Sequence, residues 1–189
     1  MKKLSLAFAL SSVMLLTGCI SVPSLNFTPE NIEFSKHKID AEVKSISVSA
    51  APEQEKTGDV EMGFAGNQYE DTFRQIFKDS LEEAIAASGI FNDLSQTKVS
   101  IFAKIKKFDS PSIGITFPTE CELNYQIQDR ATGRIIYSEV IKSVGECEAS
   151  YAFAGHTREA EARNRSVRNN IRLFVESLQK SDLATVEVR

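Results

Sequence analysis

The sequence predicts an α+β fold. The expected form is a two-layer sandwich with two helices on one face of a mainly antiparallel sheet of about four strands, in the order β-α-β-β-β-α. Two kinds of periodicity and one absence lead there. Apolar and polar residues alternate over 99–106 and 115–128, the period of a half-buried strand. Apolar residues recur every three or four positions over 67–88 and 157–178, the period of a helix with one buried face. No hexapeptide, helical or propeller repeat is present, which excludes left-handed β-helices and most solenoids.

Each element can be justified in turn. Val43, Ile46 and Val48 lie in a β-branched stretch ending at Ala50-Ala51-Pro52, so 43–49 reads as the first core strand, followed by a charged loop from Pro52 to Gly66. Tyr69, Phe73, Ile76, Phe77, Leu81, Ala84, Ile85 and Ser88 form the inner stripe of the first helix. Gly89 is placed to end that helix in the left-handed conformation, with Ile90 and Phe91 as the apolar contact beyond the cap. Val99, Ile101, Ala103 and Ile105 give the second strand, and Ile115, Phe117, Cys121, Leu123, Tyr125 and Ile127 the third, with Pro118 marking an edge or bulge near its start. Asp129 to Gly133 carries turn chemistry, and 134–144 returns as a hairpin strand whose alternation slips near Ser138 and Glu139, where a bulge is expected. The last helix, 157–178, has Ala160, Asn164, Val167, Ile171, Phe174, Val175 and Leu178 inside and five arginines around the rest.

The N-terminus has a separate logic. Lys2 and Lys3 precede an apolar run from Leu4 to Leu16, too short to span a membrane as a helix but suited to a secretory signal. Leu16-Thr17-Gly18-Cys19 resembles the lipobox of bacterial lipoproteins. That resemblance implies a signal peptide at 1–18, cleavage before Cys19, and a diacylglycerol and an N-acyl chain on that cysteine. Such chains add about 0.8 kcal/mol per buried methylene, so together they hold a protein nearly permanently. Residue 20 is Ile rather than the Asp that the associated sorting rule links to inner-membrane retention. The expected address is therefore the outer membrane, facing the periplasm. Residues 19–40, with Pro23 and Pro29, read as the lipidated cysteine and an extended tether, with an edge strand near Ile32 to Phe34; 41–189 reads as a single periplasmic domain.

A lipobox, a Pro-containing tether, a Val/Ser-rich strand, a helix closing on Ala-Ser-Gly-Ile-Phe at 87–91 and an Asn- and Arg-rich terminal helix resemble the YajG-like group of small envelope lipoproteins. The element order is also similar to that of the lipopolysaccharide-assembly lipoprotein and of auxiliary lipoproteins of lipid-transporting ABC systems. These resemblances imply a non-enzymatic accessory role.

Composition narrows the function classes. The formal net charge of -4 becomes about -6 once the leader is removed, an acidic balance that argues against nucleic acid as a partner. His37 and His156 are the only histidines, so no metal is implied, and nucleotide-binding fingerprints, a Gly-x-Ser-x-Gly elbow and a His-Glu-x-x-His motif are all absent. No cofactor is expected beyond the acyl chains on Cys19.

Cys121 and Cys147 belong to an oxidising compartment, where a disulfide is expected. If Gln128 faces Ile135, however, Cys121 lies opposite Lys142 and Cys147 is five positions further on. That offset is about 17 Å of extended chain, so a bridge requires the chain to turn back at Gly145. Two separately buried thiols are the alternative.

Two features point to binding. Phe64-Ala65-Gly66 and Phe153-Ala154-Gly155 repeat the same tripeptide, each just before a helix. If the first and fourth strands run the same way, both helices start at one end of the sheet. Free helix-start N–H groups with Gly66, Asn67, Gly155, His156 and Arg158 nearby would then offer an anion or partner-contact site. The blander reading makes each Phe a core plug and each Gly a turn residue. Arg158, Arg165 and Arg172, spaced by seven, form either a basic stripe or a solvated helix face carrying the pairs Glu161–Arg165 and Arg172–Glu176.

The leading functional expectation is a membrane-anchored, non-enzymatic accessory or scaffold subunit of a cell-envelope assembly. Its expected partners are the lipid bilayer, through the anchor, and an envelope protein. The other classes in play are a lipid-anchored carrier or sensor of a lipid, glycan or peptide, and a periplasmic immunity protein.

Overall fold

The structure is a computed structural model and describes residues 23–63, 70–111, 113–183 and 185–187. The elements are β1 (His37–Ile39), β2 (Glu42–Ala50), α1 (Glu70–Ser88), β3 (Lys98–Asp109), β4 (Thr119–Asp129), β5 (Ile135–Gly145), α2 (Gly155–Gln179) and β6 (Thr185–Glu187). The main sheet has the order β2-β3-β4-β5, with both helices on one face, so the α+β sandwich is observed.

Its pairing explains the orientation of both helices. The crossover through α1 brings β3 back parallel to β2, whereas β3–β4 and β4–β5 are antiparallel. Strict alternation thus fails at the first step. Two antiparallel steps follow, so β2 and β5 run in the same direction, which strict alternation would have reversed, and both helices descend from one end of the sheet. Here that end is termed the upper end.

Periodicity locates the core. Phe73, Phe77 and Leu81 of α1 and Val167, Ile171 and Phe174 of α2 are buried against Ile101, Ile105, Leu123, Tyr125 and Ile127 of the sheet. Tyr125 stacks on Phe174 with centroids 3.9 Å apart, and its hydroxyl donates to Asn170 Oδ1 at 2.9 Å. Asn170 Nδ2 donates in turn to the carbonyls of Cys121 and Ile141 and to Ser143 Oγ, so a polar residue on an apolar stripe is satisfied by the sheet beneath it.

Gly89 has φ +57°, the expected left-handed cap. Gly145 has a different reason to be glycine. A Cβ there would lie 2.2 Å from the carbonyl oxygen of Ala162 and from the amide nitrogen of Ser166, so α2 rests directly on the end of β5.

Four local expectations change. Ile115 and Phe117 precede β4, which starts at Thr119; Pro118, with no N–H to give, separates them from the ladder. The β5 irregularity lies at the turn: Gln128 pairs with Ile135 and Ile127 with Tyr137, leaving Ile136 as the extra residue, rather than at Ser138 and Glu139. No strand forms at 32–34. β1 lies just beyond, pairing with β6 in a small second sheet while Ile39 bridges to Phe91.

The fourth change concerns residues 24–34, read from sequence as tether. They are folded onto the helices. Asn164 Nδ2 donates to the Ser24 carbonyl at 3.0 Å, and the Asn26 amide donates to Asn164 Oδ1 at 3.2 Å. Phe27 is fully buried, with its ring 4.9 Å from Phe73 and 6.0 Å from Phe77. Thr28 reaches Glu83, Gln179 donates to the Glu33 carbonyl, and the Phe34 ring lies over Gly89. The segment therefore descends alongside α1 and α2, from their upper parts to their lower ends.

Candidate functional site

Of the residues singled out from the sequence, Gly155, His156 and Arg158 lie at the upper end, in the first turn of α2. Gly66 and Asn67, and with them the first copy of the tripeptide, lie outside the described residues, as does Cys19. Gly155 opens α2 and packs beside Phe117, whose ring would stand 3.3 Å from a Cβ at that position. His156, next along the helix, is exposed.

Arg158 is committed to the fold rather than to an anion. Its Nε donates to the Ile115 carbonyl at 3.1 Å, and Nη1 donates to the carbonyls of Ala152 at 2.6 Å and Phe153 at 2.8 Å. Its guanidinium also stands 5.7 Å from the centre of the Phe117 ring. One side chain thus clasps the β3–β4 loop and the β5–α2 loop to the first turn of α2. Phe117 is a plug, buried with Cys147 and Ala162 in a small cluster apart from the main core. Phe153 is the opposite: it stands fully exposed, as do most of Ile113 and Ile115.

The seven-residue arginine stripe is largely neutralised. Arg165 bonds Glu161 at 2.9 Å and the Glu146 carbonyl at 3.0 Å, Arg168 shares Glu161 at 2.6 Å, and Arg172 pairs with Glu176. The bond to Glu161 raises the Arg165 guanidinium above its ordinary pKa. Arg165, Arg168 and Arg172 do line one side of an open polar cleft of about 580 Å³, facing Pro29 and Glu30 and sharing the lining with Glu146 and Glu161. Arg158 is not part of that cleft.

Sequence reasoning passed over Arg163. It is buried, lies 4.6 Å over the Phe108 ring, and donates to the carbonyls of Glu61 and Gly63, tying the β2–α1 connection to α2. Desolvation pulls its pKa down. The available signal was an arginine between Ala160 and Val167 that breaks the seven-residue spacing.

Cys121 and Cys147 are both free and buried in different clusters, rather than joined in the expected disulfide. The Ile136 bulge moves Cys121 opposite Ser143 instead of Lys142, while Cys147 lies beyond the end of β5 under the loop plug. Burial pushes both thiols up in pKa, which suppresses thiolate chemistry.

The face of the sheet away from the helices is polar and laid out in register. Ser47, Phe102, Gln126 and Ser138 form one cross-strand row, and Ser49, Lys104, Asn124 and Val140 the next. At its upper part Glu122 sits between Lys142 at 2.9 Å and Lys106 at 3.5 Å. Among the described residues no group of three or more His, Cys, Asp or Glu side chains could hold a metal ion, and no helix is long and apolar enough to cross a membrane.

No family model matches the sequence. Nor does any curated protein. Among solved structures, the fold is similar to protein XCC0632 from Xanthomonas campestris, of the family DUF330, at 17% identity and a TM-score of 0.54, covering 82% of this chain and 91% of that one. A minor lipoprotein from Acinetobacter baumannii superposes with a TM-score of 0.47 at 10% identity over 80% of this chain and 99% of its own. The hypothetical protein CT253 from Chlamydia trachomatis gives a TM-score of 0.47 at 12% identity over 74% of this chain and 96% of its own.

Proposed function

We propose that this chain is a lipid-anchored, non-enzymatic lipoprotein of the bacterial cell envelope, held on the periplasmic face of the outer membrane through Cys19 and serving as an accessory or scaffold subunit of an envelope assembly. One observation carries the reading. The segment that follows the lipobox-like cysteine is built into the domain from Ser24 onward, so an anchor at Cys19 would hold the whole domain close to the bilayer. The YajG-like and lipopolysaccharide-assembly-lipoprotein-like resemblance of the sequence agrees with it.

The interior favours a scaffold over a carrier. The centre of the space between helices and sheet is taken up by Phe73, Phe77, Leu81, Tyr125 and Phe174, all buried almost completely, and the remaining room is a cleft of about 310 Å³ at its edge between α1 and β2, lined in part by Lys38, Lys44 and Glu82. The outer sheet face, with exposed Ser47, Ser49 and Ser138 and partly exposed Asn124 and Gln126 beside Phe102, Lys104 and Val140, supplies a largely polar surface on which a partner protein can dock.

A photo-crosslinking residue in place of Gln126, in the full chain in living cells, tests the reading. A single envelope protein captured at that position, but not from Glu83 on the helical layer, is the expected result. Retention of the unmodified Cys19→Ala chain in the membrane, or absence of acyl mass on Cys19, would overturn the anchor.

A further inference from the structure

The path of residues 24–34 fixes which end of the domain meets the bilayer. The segment runs down the helices, so its N-terminal end at Ser24 lies toward the upper end. Ser24 is held at Asn164, nine residues into α2, or about 13 Å below the start of that helix. From Ser24 back to Cys19 are five residues, which reach at most about 18 Å when fully extended. An acylated Cys19 can therefore reach the plane of the upper end and little further.

At that same end the structure exposes large apolar side chains. Ile113 is 91% exposed, Ile115 is 74% exposed, and Phe153 projects fully into solvent. The clasp of Arg158 on the carbonyls of Ile115, Ala152 and Phe153 holds these two loops side by side. No charged residue lies between Asp109 and Glu120 or between Glu148 and Arg158, so neither loop would carry an ion into lipid. Tyr151, two residues before Phe153 and half exposed, has its ring 5.6 Å from the Arg165 guanidinium, an amphipathic ring of the kind enriched at headgroup depth.

We propose that Ile113, Ile115 and Phe153 insert into the interfacial layer of the bilayer that receives the acyl chains. The domain then stands end-on, with α1 and α2 pointing away from the membrane and the polar sheet face open sideways to a partner. The proposal rests on the lipid-anchor reading and goes beyond it, because an anchor alone leaves the domain free to tumble. Inserted loops add a second attachment point and fix its orientation.

The chain contains no tryptophan, so a single introduced one is an unambiguous probe. Phe153→Trp is compared with Ile135→Trp, at the opposite end of β5. Both are prepared as the full acylated chain in vesicles of phosphatidylethanolamine and phosphatidylglycerol, with or without bromine on the acyl chains. The expected result is blue-shifted emission at position 153, reduced at least about twofold by brominated lipid, with neither effect at position 135. Co-flotation with vesicles but no quenching at position 153 would overturn the insertion and leave the anchor standing. Equal quenching at both positions would overturn the end-on orientation. Absence of acyl mass on Cys19 and of co-flotation would overturn the anchor reading, and the insertion with it.

Discussion

Single residues decide how closely the two layers approach. Gly145 lets the backbone of α2 rest on β5, and any Cβ would meet backbone atoms that cannot rotate away. Gly145→Ala should therefore lower stability by about 1–3 kcal/mol, read as a lower urea midpoint with unchanged slope. Glu159 makes a different point. Desolvation raises its pKa, and the Arg163 guanidinium only partly opposes that. A carboxyl that binds its proton more tightly in the folded state favours folding when protonated and penalises it as pH rises above the unfolded value near 4.5. Glu159→Gln should accordingly raise the urea midpoint at neutral pH, and the gain should disappear once the pH is below that value.

At the scale of elements, segment 24–34 behaves as part of the fold. Phe27 completes a cluster with Phe73, Phe77 and Phe108, and Asn164 closes two hydrogen bonds on the backbone around it. Phe27→Ala should cost about 3–5 kcal/mol in denaturant unfolding, as for other buried phenylalanines. Phe34→Ala, on the same segment but largely exposed, should cost a small fraction of that. The segment reads as tether because it lacks periodicity: Pro29, with Pro23 just before it, and scattered polar residues look like tether, and its burial depends on grooves made by helices far along the chain.

Over the whole molecule, the two thiols report two levels of opening. Cys121 lies in the main core on a central strand, whereas Cys147 sits in the small cluster under the upper loops. Alkylation under native conditions should modify Cys147 first, through local opening of those loops, and Cys121 at the rate of global unfolding. Mass spectrometry of timed samples would show the order; a doubly protected, bridged protein would contradict it. The same upper end carries the Arg158 clasp and the exposed apolar loops, so the loops expected to open first are also those expected to face lipid.

Periodicity along the chain was enough to read the α+β class, both helices, the Gly89 cap and the hairpin pairing of Gln128 with Ile135, because each depends on residues within a few positions of one another. The lipobox-like run at 16–19, on which the proposed address rests, is equally local. Tertiary structure alone decided the parallel β2–β3 pairing, the Ile136 bulge that moved Cys121 opposite Ser143, the docking of 24–34 and the commitment of Arg158 to loop carbonyls. Each of those rests on contacts between distant segments, where a one-residue change of register or the path of a crossover outweighs any local preference.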